Sequence, residues 1–101
     1  MLEQRIYRIN PIVVNDIRVN QVVIDPHYEL KHSRGINDAL ILDLVKKLNG
    51  RHEFPQSTRG RYSYFATLIE YGKKQYRLIW LLEKNAIYIG VVNAYRDERR
   101  S

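Results

Sequence analysis

The chain has no cysteine, and only three prolines, five glycines, one methionine and one tryptophan in 101 residues. Without cysteine there is no disulfide framework and no thiolate to serve as nucleophile or metal ligand. Three histidines remain. They are His27, His32 and His52, and their spacing matches no metal-ligand pattern, so no metal is expected. No apolar run approaches the roughly 20 residues of a membrane span. The first residues, MLEQRIYRIN, lack the apolar segment that follows the positive charge in a secretory leader. These absences predict a cytoplasmic protein with no membrane partner. No repeat, low-complexity tract or linker divides the chain, so residues 1–101 are expected to form one domain.

What the chain does have is positive charge. It carries 17 Lys and Arg against 11 Asp and Glu, a net charge of +6. Such a field draws a small protein toward nucleic acid or another anionic surface. A hydrophobic content of 45% is enough for a packed core and excludes a disordered tail.

Residues 4–8 and 12–14 have strand composition, broken at Asn10-Pro11, and 17–24 reads as another strand ending at Asp25-Pro26. Residues 26–33 are predicted to form a short helix, with Asp25 as cap and Pro26 in the first turn. The next helix is the best-marked element. Asn37 suits its N-cap, Asp38 its first turn, and Ile36 and Ile41 a hydrophobic staple. Leu40, Ile41, Leu44, Val45 and Leu48 form one apolar stripe, and Gly50 is placed to end the helix. Residues 51–60 read as a polar loop. Three strands are expected at 61–71, 75–83 and 86–95. The order gives an α+β fold, with two helices packed on one face of an antiparallel sheet and an extra N-terminal strand segment over 1–20.

A two-residue turn at Lys84-Asn85 would pair Leu82 with Ile87, Trp80 with Ile89, Leu78 with Val91 and Tyr76 with Asn93. The large apolar residues then share one face, and Arg77 projects from the other. Parity puts Arg96 on the Arg77 face and Tyr95 on the opposite one, unless a bulge intervenes. A two-residue Lys73-Lys74 turn would set Glu70 beside Arg77. A three-residue turn would set Ile69 there and bring Arg61 onto the Arg77 face.

The stretch Tyr76-Arg77-Leu78-Ile79-Trp80, then Ile87-Tyr88-Ile89, then Val91-Val92-Asn93-Ala94-Tyr95-Arg96, resembles the C-terminal half of the RelE/ParE-type toxins of bacterial toxin–antitoxin systems. Asp25-Pro26, Lys31-His32 and Ile36 are more weakly similar to the BrnT-like branch. The resemblance covers roughly residues 20–100. It implies the RelE-like fold and a type II toxin that acts as a metal-independent endoribonuclease, an mRNA interferase, without a small-molecule cofactor. The partners it implies are mRNA, on or off the ribosome, and a cognate antitoxin protein. By position it makes Arg77 the phosphate-stabilising residue, with Arg61, Tyr95 and Arg96 in the catalytic region. Arg59, Lys31, His32, Arg99 and Arg100 become RNA-binding candidates. Several members carry a tyrosine or histidine slightly further on. It has no counterpart before Ser101, so Tyr95 would take that part.

The chemistry behind those assignments is general. Cleavage of RNA by its own 2′-OH needs a proton acceptor, charge stabilisation at phosphorus and protonation of the leaving 5′-oxygen. Arginine's planar fork suits the phosphate, and tyrosine or histidine can move protons. Two other readings stand beside this one. The protein could inhibit a protein target such as gyrase without catalysis, or be an inactive relative that only binds nucleic acid. Arg77 could equally cover the sheet with its stem while its head pairs with Glu70.

Overall fold

The structure is a computed structural model that describes residues 3–32 and 35–98. Arg99 and Arg100 lie outside the described residues. The first element, β1 (Arg5–Val14), pairs antiparallel with β2 (Ile17–Ile24) through a turn at Asn15-Asp16. Asn15 and Asp16 both have positive φ, 53° and 62°, the conformation of a type I′ hairpin turn. Asn10-Pro11 does not break β1. The pairing register shifts between Arg8 and Ile12, so the proline, which has no N–H to donate, sits in an irregularity of the edge strand.

A short helix, α1 (Tyr28–His32), and a longer one, α2 (Asp38–Lys46), follow. The α2 cap is the one its residues predict. Asn37 is extended, and its side chain accepts a hydrogen bond from the Leu40 N–H at 2.8 Å. Ile36 and Ile41 are both buried. The remaining strands are β3 (Ser57–Arg59), β4 (Tyr62–Tyr71), β5 (Lys74–Glu83) and β6 (Tyr88–Arg96). The edge strand β3 lies inside the expected loop 51–60. Its three residues are exposed and polar, so no burial pattern marks it.

The six strands form one sheet in the order β1-β2-β6-β5-β4-β3. Neighbours are antiparallel except β2 and β6, which run parallel. This corrects the expected fold. The N-terminal hairpin is a third of a mixed sheet, and its β2 is hydrogen-bonded along β6. Helices of five and nine residues are too short to form a layer over six strands. They fill one side of a fold that is mostly sheet.

One face of the sheet holds the core. Val14, Val19, Val22 and Ile24 come from the N-terminal hairpin, Phe65 and Ile69 from β4, Leu78 and Trp80 from β5, and Ile89 and Val91 from β6. Ile41, Leu44 and Val45 of α2 and Leu48 beyond it join them. Phe65 stacks on Trp80 with ring centres 4.0 Å apart. The indole N–H of Trp80 donates to the Thr67 hydroxyl at 2.9 Å, and that hydroxyl donates to Glu53 at 3.0 Å. The buried indole is thus satisfied, and the loop after α2 is tied to the sheet.

A second polar knot joins β1 to both helices. The Asp38 carboxylate accepts two bonds from Arg5, at 2.5 and 2.8 Å, one from Tyr7 at 2.5 Å and one from Tyr28 at 2.7 Å. The Arg5 guanidinium is the largest cause holding this carboxyl at about 2, below its ordinary 3.8, against the opposing effect of burial.

Candidate functional site

The other sheet face has no helix over it. Along β4 it carries Tyr62, Tyr64, Ala66 and Leu68, and along β5 it carries Arg77, Ile79 and Leu81. Leu81 pairs with Gly90, and a Cβ on Gly90 would meet Leu81 Cδ1 at 2.8 Å and Cγ at 2.9 Å. The leucine lies across the glycine, which keeps that part of the face low. Ile6, Val23, Tyr62, Tyr64, Leu81, Tyr88 and Val92 surround the resulting depression. The Tyr88 hydroxyl donates to Glu83 at 2.6 Å. Burial, followed by that bond, pushes the phenol up to about 12.

Arg77 lies on this face, as the parity of β5 predicts, but its neighbours differ from expectation. The β4–β5 turn is Gly72-Lys73, one residue earlier than the expected two-residue turn and one residue shorter than the expected three-residue turn, with φ of 60° and 66°. Leu68 therefore sits opposite Arg77, and Glu70 pairs with Gln75. The β5–β6 connection is longer than a two-residue turn. The Ile87 carbonyl accepts from the Asn20 N–H of β2, which draws that residue out of the hairpin, and Leu82 pairs with Ile89.

The decisive irregularity comes next. The register shifts between Ile79 and Trp80, so that Trp80 pairs with Val91 and Ile79 with Asn93. Val92 is the extra residue, and the parity of everything after it changes. Tyr95 now pairs with Arg77, and Arg96 pairs with Tyr76. The expectation that Arg96 shares the Arg77 face is thereby corrected. Arg96 falls on the Tyr76 side, yet it lines a cavity together with Arg77 and Tyr95.

That cavity, of about 580 Å³, is lined by Arg77, Ile79, Tyr95, Arg96, Asp97 and Glu98 with Ala66 and Gln56. The Arg77 guanidinium donates to Asp97 at 2.9 Å, and the Asp97 side chain is only 8% exposed. The Asp97 N–H in turn donates to the Gln75 carbonyl at 2.9 Å. Arg77 is therefore a fixed cation held by a buried carboxylate, and its partner is not Glu70. Two arginines and two acids line the cavity, so its formal charges balance.

The other sequence candidates are dispersed. Arg61 faces Glu83 at 3.4 Å at the opposite end of β5. Glu83 lies six positions beyond Arg77 along the strand, about 20 Å at the usual rise. Arg59 pairs with Tyr62 at that same far end. Lys31 is exposed on α1, where it lines a separate cavity with His27, Tyr28, Leu30, Val92 and Asn93. His32 ends α1, and its side chain lies outside the described residues, as do Arg99 and Arg100.

Comparison with protein-family models, with curated proteins and with solved structures finds no match to this chain. Among the described residues no cluster of His, Asp and Glu is placed to hold a metal ion, and no helix is long and apolar enough to cross a membrane.

Two residues that matter here were passed over in the sequence. Asp97 is not among the sequence candidates, and only the β5–β6 register shows that it reaches Arg77. His27 is not among them either, yet its ring sits 2.5 Å from Asp25. The Asp-Pro-His order carried that signal, because an aspartate commonly bonds the backbone two residues on.

Proposed function

We propose that this chain is a metal-independent endoribonuclease of the toxin kind, working on RNA laid against the open sheet face. The observation that carries the reading is the pairing of Arg77 with Tyr95 on adjacent strands, with Arg77 fixed by Asp97. A held guanidinium beside a phenol offers charge for a phosphorane and a proton for a leaving oxygen, with little reorganisation. The tyrosines of the same face give bases a surface to stack on. The likeness of residues 76–96 to the RelE/ParE-type toxins and the net charge of +6 support the same chemistry. A cognate antitoxin would silence it by covering this face.

The test is cleavage of an oligoribonucleotide by the purified chain, with chelator present, beside induced expression in bacteria. Arg77→Ala and Tyr95→Phe should each slow cleavage by about 100-fold or more and relieve toxicity. If the wild-type chain neither cuts RNA nor slows growth, the nuclease reading is lost.

The balanced charge of the Arg77 cavity favours one other reading. The open face, with Ile6 at 67% exposure and Leu68 at 40%, could dock a protein without catalysis. In that case growth arrest would appear without RNA cleavage, and Tyr95→Phe would leave it unchanged.

A further inference from the structure

We propose that His27, oriented by Asp25, is the general base of the RNA cleavage proposed above. The inference rests on that reading and adds a residue that it does not contain.

The dyad is built into the fold. Asp25 follows the last residue of β2, and its N–H donates to the Val91 carbonyl at 2.9 Å, extending the pairing with β6 by one bond. One Asp25 carboxylate oxygen accepts the His27 backbone N–H at 2.9 Å and lies 2.5 Å from His27 Nδ1. That oxygen thus sets both the backbone and the ring of His27. Burial pushes the Asp25 carboxyl up, but the His27 backbone N–H and ring outweigh it and leave it below the ordinary value. The carboxylate therefore stays charged where the ring needs it. The contrast within the molecule is His52. Its partner Asp16 is 3.9 Å away and 94% exposed, a solvated pair with no fixed geometry.

When the neutral ring donates from Nδ1 to Asp25, its lone pair lies on Nε2. The His27 side chain is 66% exposed, so Nε2 can meet a substrate. Its surroundings suit RNA. His27 and Lys31 line a cavity together with Val92 and Asn93 of β6. Asn93 pairs with Ile79, which lines the Arg77 cavity, and Tyr95 is two residues further along β6. Two residues of strand span about 7 Å. A strand of RNA crossing the last half of β6 would meet His27 and Lys31 first and Tyr95 and Arg77 next.

The step balances without a co-reactant. His27 Nε2 takes the proton of the 2′-hydroxyl as its oxygen bonds to phosphorus. The bond from phosphorus to the 5′-oxygen breaks, and that oxygen takes the Tyr95 hydroxyl proton. The products are a 2′,3′-cyclic phosphate and a 5′-hydroxyl. His27 is left protonated beside Asp25 and Tyr95 ionised beside Arg77, each ion next to an opposite charge. Proton return through water resets both.

The experiment measures kcat and KM of the full chain on a fluorescent oligoribonucleotide. His27→Ala should lower kcat at least about 100-fold with KM changed less than about threefold, and added imidazole should restore part of the loss. Asp25→Asn, which acts through the ring, should lower kcat about tenfold with KM unmoved and add nothing in the His27→Ala background. Thermal melts of both variants check folding, and His27→Ala alters an exposed side chain. If the wild type cuts RNA and His27→Ala keeps its kcat, loses only KM, or gains nothing from imidazole, the dyad is not the base. If the wild type does not cut RNA, the reading beneath it falls too, and the two failures are told apart by that control.

Discussion

Replacing the Asp38 carboxylate by an amide keeps its shape and removes the charge that four donors point at. The amide also brings an NH2 group of its own against those donors. Asp38→Asn is therefore expected to cost about 2 kcal/mol, the scale of hydrogen bonds to a charged group. For a domain of this size that lowers Tm by roughly 8–16 °C. Asp43→Asn is the control. Asp43 meets the Tyr71 hydroxyl at 2.7 Å and Lys46 at 3.8 Å with its side chain 39% exposed, and its loss should cost no more than about 0.5 kcal/mol. The same site predicts a pH dependence. The Asp38 carboxyl is lowered from 3.8 to about 2 in the folded chain, so it contributes stability above about pH 4 and loses it as pH falls toward 2. The stability gap between wild type and Asp38→Asn should therefore narrow over that window in urea titrations at pH 5, 4, 3 and 2. A gap that stays constant would mean that the carboxylate is not held by these partners.

At the scale of elements, the β5–β6 pair shapes the open face through one missing Cβ. Gly90→Ala would place a methyl group 2.8 Å from the Leu81 side chain, inside contact distance, and the leucine would have to lift. Overpacking of this kind costs on the order of 1 kcal/mol. Leu81→Ala removes the obstacle. The double variant should be more stable than the sum of the two single effects by at least about 0.5 kcal/mol, measured as a cycle of urea midpoints. Additive effects would place the leucine elsewhere. The same pair of strands shows how far a sequence can be read. The start and inner face of α2 were legible, because its N-cap, staple and stripe are local, but the helix stops at Lys46 with Lys47 as its C-cap, short of the expected end at Gly50. The existence of β4, β5 and β6 was legible from composition, and so was the face of Arg77, which depends only on alternation within β5. The face of Tyr95 was not, because it depends on the extra residue at Val92, and no local pattern marks a bulge among Gly90, Val91, Val92 and Asn93. The turn at Gly72-Lys73 was misplaced by one residue, since both Gly72-Lys73 and Lys73-Lys74 satisfy the composition of a turn.

At the scale of the whole molecule, the unexpected feature is that β2 and β6 are parallel neighbours although α1, α2 and three strands separate them in sequence. A pairing of that kind leaves no local mark, so residues 1–20 read as an appendage. They are part of the core. Val14 and Val19 within that stretch are fully buried, as are Val22 and Ile24 just after it, and Ile12 is nearly so. Burying a side chain of that size stabilises by roughly 1.5–3 kcal/mol, and native domains hold only about 5–15 kcal/mol in total. Removing residues 1–24 would strip five such side chains, expose one edge of β6 and leave Asp38 without Arg5 and Tyr7. The shortened chain, residues 25–101, should therefore show no cooperative thermal transition and no near-ultraviolet signal from a packed Trp80, whereas a removable extension would leave both intact. Supplying residues 1–24 as a separate peptide tests the same point from the other side. Because β2 pairs along β6 and β1 only with β2, the peptide should restore the Trp80 signal in proportion to its concentration. A peptide with Val22→Asp and Ile24→Asp should not, because it would bring charge into the core.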